Sequence, residues 1–182
     1  MNKCWATGPQ ELKPLPGVDC LEVKVMATER PEWISEDDGG AYLLRAMKIA
    51  FSAHAGQTDK AGNPYFSHCK RVAIALKDED QRIVAYLHDV VEKGSGWTFE
   101  RLSDEGFNPS IVAAVDALTR REDESEHDFV VRAARDELAR PVKVADLKDN
   151  LKQALNAGLD KSKYEEGLKI IAELYASSNG KQ

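Results

Sequence analysis

The chain has 182 residues, 42% of them apolar, and a formal net charge of −6. That acidity excludes the basic profile of a nonspecific nucleic-acid binder, while a locally basic pocket or a cation can still hold an anionic small ligand. No apolar run reaches the roughly 20 residues that span a bilayer, and the start of the chain lacks a continuous apolar signal segment.

Residues 1–40 read as an N-terminal extension. Pro9, Pro14, Pro16 and Gly17 punctuate it. Cys20–Val25 alternates weakly enough for one short strand, Met26 is an alternative start, and Glu36 to Gly40 reads as a polar loop. Cys4, Cys20 and Cys69 are odd in number and lack CxxC spacing. This suits a reducing, cytoplasmic compartment rather than a disulfide framework.

From Ala41 the pattern is helical. Leu44, Met47, Ala50, Phe51 and His54 share one face, and Gly56 ends that helix. Ser67 to Leu76 and Asp80 to Lys93 form two more, the second stopped by Gly94-Ser95-Gly96. Thr98 caps a short helix ending at Gly106. Asn108-Pro109 opens a helix through Leu118, by an N-cap followed by proline at the first position. Ser125 with Asp128 resembles a capping box before Phe129 to Leu138. Pro141 opens the helix carrying Asp146, Gly158 ends it, and Asp160 caps a last helix through Tyr175. Residues 41–178 are therefore expected to form one all-α bundle of a size that can bury a core.

The chemistry-bearing groups are His68, the pair His88-Asp89, and Asp146, in that order along the chain. Burying an imidazole beside a carboxylate is costly unless something positive sits between them. Two imidazoles and two carboxylates suit a divalent first-row cation. Mn²⁺ fits this mixed nitrogen and oxygen set, with Fe²⁺ and Zn²⁺ as alternatives by ligand type. A site with open positions is catalytic, since a metal lowers the pKa of water it binds to about 7. The competing account makes His68 and His88 hydrogen-bonded core residues and the carboxylates caps or ion pairs. On a helix, residues four apart share a face, which groups His88 with Glu92 and Asp146 with Asn150. Cys69, next to His68, is expected to be a small core residue.

These residues carry a resemblance. Over roughly 41–175 the chain resembles the HD-domain metal-dependent phosphohydrolases. More closely, it is similar to the hydrolase half of the Rel/Spo alarmone enzymes and their stand-alone small relatives. The motifs are His54-Ala55-Gly56-Gln57, Lys60 through His68, Arg71-Val72-Ala73, Leu87 through Glu92, Ala117 through Arg120, and Val142 through Asn150. The resemblance implies an HD-domain bundle that removes the 3′-pyrophosphate from (p)ppGpp-like nucleotides with one Mn²⁺. It implies that His68, His88, Asp89 and Asp146 hold the metal and that Glu92 orients or deprotonates water. Asn150 is implied to act beside Glu92, on the nucleoside side of the pocket, and Lys60 to meet substrate phosphate. Lys143, Lys148 and Lys152 cluster on the Asp146 helix. There they either offset substrate charge, with Lys143 and Lys152 as contacts, or form a solvated face. His54 is expected to pack or hydrogen-bond, and Trp97 to anchor its loop rather than stack on a base.

Three positions depart from the family pattern. Asp59 stands where the family has an arginine that stacks on guanine, Lys93 where it has an aspartate after the glutamate, and Lys152 where it has arginine. Asp59 and Lys93 are expected either to pair with each other or to be solvated. Alternatively, Lys93, one turn after Asp89, forms an ion pair there that weakens metal binding. Adenosine alarmones such as (p)ppApp are expected substrates beside (p)ppGpp. The alternatives are a general HD phosphohydrolase for other nucleotides and a non-catalytic nucleotide-binding derivative. Glu122-Asp123-Glu124 is expected to mark an exposed loop.

Overall fold

The structure, a computed structural model, describes residues 39–179. The possible strand at Cys20–Val25, Met26, Cys4 and the start of the polar loop lie outside the described residues. The helices are α1 Gly39–Ala53, α2 Tyr65–Ile74, α3 Glu79–Leu87, α4 Val90–Lys93, α5 Phe99–Asp104, α6 Pro109–Leu118, α7 Glu126–Arg135, α8 Ala139–Ala157 and α9 Ser162–Asn179. Among the described residues the β-structure is a single bridge, Thr58 to Pro64, which closes the α1–α2 loop. No helix there is long and apolar enough to cross a membrane.

Local signals set most boundaries. Asp78, Thr98, Asn108 and Ser125 each accept a backbone N–H of the helix they open. Each such cap satisfies a donor that the first turn leaves free. Gly158 ends α8 at φ 66°, the left-handed conformation that glycine adopts without a Cβ clash. Gly39 and Gly40 begin α1 instead of belonging to the polar loop. The capping box is half formed: Ser125 Oγ accepts Asp128 N–H, while the Asp128 carboxylate takes the Ser125 hydroxyl. Helix α7 accordingly starts at Glu126, before the expected Phe129, and ends at Arg135, short of Leu138.

Helix α3 is the centre of the bundle. Ile83, Val84, Ala85, Tyr86 and Leu87 are all buried, so the C-terminal half of the helix is covered on every side, and the helix packs on α1, α2, α6 and α8. A fully buried leucine contributes about 1.5–3 kcal/mol by transfer alone, and Leu87→Ala would cost about 2–5 kcal/mol with its cavity. Helix α8 joins two apolar clusters. Ala139, Val142 and Ala145 pack with the α3 cluster, and Leu147 and Ala154 pack with α7 and α9. Its remaining stripe, Lys143, Asp146, Asn150 and Gln153, is polar and buried.

The expected single helix from Asp80 to Lys93 is broken. The α-helix ends at Leu87, and Asp89 takes φ −108°, ψ 0° before α4 begins. The break falls on His88-Asp89. The end of α4 packs closely on α1: a Cβ at Gly94 would lie 2.9 Å from Ala53 Cβ.

Candidate metal centre and nucleotide cleft

Helix α2 carries its functional groups at helical spacing. Tyr65, His68 and Arg71 follow one another at three-residue intervals, and so lie along one face. His68 is buried, and its Nδ1 lies 2.7 Å from Asp149 Oδ2 on α8. The carboxylate only accepts here, so Nδ1 carries the proton. Nε2 points the other way, 3.3 Å from Asp146 Oδ1. His88 repeats the design at the α3–α4 break. Its Nδ1 donates to Ala85 O at 2.7 Å, and its Nε2 lies 3.0 Å from Asp89 Oδ2 and 3.8 Å from Asp146 Oδ1. Neither buried Nε2 has a hydrogen-bond partner.

Two imidazole lone pairs therefore converge on two carboxylates. Burying these groups together calls for positive charge beside them, part of which Lys93 and Lys143 supply next to Asp89 and Asp146. Donor atoms of His68, His88 and Asp89 lie within 4.8 Å of one another, close enough for one ion. Asp146 Oδ1 faces both rings. The donor set fits a divalent first-row cation. The same field acts on protons. Burial works against a charged His68, but Asp146 and Asp149 more than offset it, raising its pKa to about 9. Burial opposes ionisation of Asp146, yet His68 and Lys143 hold its pKa well below the usual range.

The surrounding groups orient the donors, the usual task of partners behind metal ligands. Arg71 grips both Asp149 oxygens, at 2.7 and 3.0 Å, and Gln153 donates to Asp149 at 2.7 Å. The Tyr65 hydroxyl donates to Asp89 Oδ2, and its ring sits edge-on to His68 at 5.3 Å. Asn150 donates to Asp146 Oδ1, as the shared helix face predicts. Tyr65, Asp149 and Gln153 were missed as site residues by sequence reasoning. Their signal is the spacing from His68 and Asp146 on the same helices.

The centre opens into a solvent-open cleft. Glu92, Lys60, Lys143 and Asn150 line it, with Lys93, Arg120, Lys163 and Tyr164. Glu92 is exposed to the cleft and accepts the Arg120 N–H at 3.3 Å. Lys60 Nζ donates to Asn150 Oδ1. Lys143 is buried, 3.5 Å from Asp146 Oδ2 and 4.1 Å above the Phe129 ring. Lys148 and Lys152 are exposed and are not among the cleft's lining residues. The lysine cluster on α8 thus divides between the cleft and a solvated face.

The expected Asp59–Lys93 pair does not form, and Asp59 is not solvated. Asp59 is buried, 2.9 Å from Arg71, and takes the N–H groups of Ala61 and Asn63 at 3.0 and 2.9 Å. It organises the α1–α2 loop. Lys93 instead meets Asp89 at 2.7 Å. His54 is a packing and hydrogen-bonding residue, with Nδ1 2.9 Å from Gln57 Oε1. Trp97 stacks under Arg101 at 3.9 Å and packs on the core, anchoring its loop. Cys69 is wholly buried, and burial pushes its thiol pKa up, as suits a core residue.

A family model described as HD domain matches residues 46–160. The chain belongs to the HD-domain family. The name fits the geometry, since its His-Asp pair is the one at the α3–α4 break. The HD-domain chain is 32% identical over 147 residues to a probable GTP pyrophosphokinase of Mycobacterium leprae, covering 72% of this chain and 18% of that protein. It is 34% identical over 96 residues to a GTP pyrophosphokinase rsh of Brucella ovis, covering 50% and 12%. The chain thus spans less than a fifth of the length of these relatives. Among solved structures it is similar to a metazoan ortholog of SpoT described as hydrolyzing ppGpp. There the TM-score is 0.60 at 24% identity, covering 73% of this chain and 84% of that one. At that identity the likeness establishes the fold.

Proposed function

We propose that the protein is a divalent-cation-dependent hydrolase that removes the 3′-pyrophosphate of alarmone nucleotides and releases pyrophosphate. The observation that carries this reading is the convergence of two unpartnered imidazole Nε2 atoms with Asp89 and Asp146 at the floor of a cleft edged by lysines. His68, His88, Asp89 and Asp146 would hold the cation, Mn²⁺ in this reading. A bound cation of this kind supplies Lewis-acid stabilisation of phosphoryl charge and activates water near neutral pH.

The chain's own groups do the rest. Glu92, at the cleft edge, takes a proton from water as its oxygen bonds to the phosphorus attached to the 3′-oxygen. The 3′-oxygen–phosphorus bond breaks, the nucleoside oxygen is protonated, and pyrophosphate leaves. Lys60 and Lys143 meet the phosphates as positive charges inside an acidic molecule. Asn150, held by Lys60 and Asp146, contacts the nucleoside side. Lys152 has no part in this arrangement.

Base selection is relaxed in this reading. Asp59, which stands where the resembling family stacks an arginine on guanine, is turned into its loop and tied to Arg71. Adenosine alarmones are therefore substrates beside the guanosine forms. The test incubates Mn²⁺-loaded protein with (p)ppGpp, (p)ppApp and ordinary nucleotides and identifies the products. Pyrophosphate released from both alarmones is expected. Orthophosphate from ordinary nucleotides would point to a general phosphohydrolase, binding without turnover to a non-catalytic module, and guanine-only turnover would remove the relaxed selectivity.

A further inference from the structure

We propose that Lys93 is a resident counter-cation of the ligand cluster, one that weakens divalent-cation binding and makes it depend on an anionic ligand. The inference rests on reading His68, His88, Asp89 and Asp146 as a divalent-cation site. The Lys93 ammonium lies 2.7 Å from Asp89 Oδ1 and donates to the Tyr65 hydroxyl at 2.7 Å. That hydroxyl donates in turn to Asp89 Oδ2. Both oxygens of Asp89 thus have a donor from the chain itself. Asp146 is met in the same way by the Lys143 ammonium, 3.5 Å from its Oδ2.

A divalent cation entering this cluster finds its two carboxylates already balanced by two ammonium groups. It has to share Asp89 with Lys93, and it adds nearly its whole charge to a cleft that already holds Lys60 and Lys143. Repulsion between charges a few ångströms apart in a partly buried site is worth at least about tenfold in affinity. A polyphosphate in the cleft removes that penalty, so anion and cation each strengthen the binding of the other, by linkage. An exposed i,i+4 pair on a helix would have little effect. This one differs because Asp89 is buried and its second oxygen is tied to Lys93 through Tyr65.

The test is titration of the full chain with Mn²⁺, reading free Mn²⁺ by electron paramagnetic resonance, with and without sulfate as a tetrahedral dianion that chelates Mn²⁺ weakly. Lys93→Met should bind Mn²⁺ alone at least about tenfold more tightly than the parent chain. Lys93→Arg, which keeps the charge, should behave as the parent. Sulfate should tighten binding severalfold in the parent and much less in Lys93→Met. The Lys93 side chain is 37% exposed, which leaves room for methionine; should that variant not fold, Lys93→Gln carries the same comparison. Equal or weaker Mn²⁺ binding in the charge-removed variant would overturn the role of Lys93 and leave the metal site standing. Absence of Mn²⁺ binding in every variant would overturn the metal site and this inference with it. Turnover is not read, so the outcome is independent of which nucleotide is cleaved.

Discussion

Asp149 accepts the Nδ1 proton of His68 at 2.7 Å while its two oxygens are forked by Arg71, so one carboxylate fixes which ring nitrogen faces the cleft. This tautomer control passes from α8 to α2 across residues 81 apart in the chain. Asp149→Ala should lower Mn²⁺ affinity by about 10–100-fold, with Asp149→Asn recovering part of it through its remaining acceptor. Calorimetric titration with Mn²⁺ checks both. Unchanged affinity would show that Asp149 serves only to hold Arg71.

Ligands and base should separate. His88→Ala and Asp146→Asn are expected to abolish cation-dependent hydrolysis together with Mn²⁺ binding. Glu92→Gln should leave Mn²⁺ bound and lower kcat by about 10²–10⁴-fold, the range of general-base catalysis. Parallel metal titration and product assay distinguish the two classes. Turnover surviving in Glu92→Gln would move the base elsewhere.

Asp59 is a structural residue of the α1–α2 loop. Asp59→Ala leaves the Arg71 guanidinium one partner short and two loop N–H groups without an acceptor. Losing such bonds costs about 1–3 kcal/mol, to be read as a shift in the urea midpoint. For the same reason Asp59→Arg should destabilise the loop.

Glu124 breaks out of the acidic run to build structure. It takes Arg132 through two bonds of 2.6 Å, and Arg132 donates to the carbonyls of Asp116, Ala117 and Thr119 at the end of α6. The last carbonyls of a helix lack partners in a following turn; Asp116 O also accepts the Thr119 N–H at 3.1 Å. Glu124→Gln should cost about 1–3 kcal/mol at neutral pH. Arg132 holds the Glu124 pKa below its ordinary value, despite opposing desolvation. A depressed carboxylate stabilises the fold above its unfolded pKa and loses that contribution as pH falls through the folded one. The stability gap between parent and Glu124→Gln should therefore close on acidification below the ordinary glutamate range, as urea unfolding at a series of pH values would show.

The all-α class, most helix starts and the identity of the polar groups at the centre are all legible in local sequence. Those are local matters: Thr98, Asn108 and Ser125 cap within one turn, and His68, His88, Asp89 and Asp146 advertise themselves by residue type. Tertiary structure decided the rest. Periodicity runs straight through His88-Asp89, yet in the packed bundle the α-helix ends at Leu87 and His88 Nε2 lies 3.0 Å from Asp89 Oδ2. The Lys93–Asp89 pair is local, one turn apart and legible in the sequence, whereas the partner of the Asp59 side chain, Arg71, lies twelve residues on. Arg71 reaches both Asp59 and Asp149 because α2 packs on α8 beside the α1–α2 loop. Side-chain charges pair by distance in the packed bundle, and that distance is set by all the helices together.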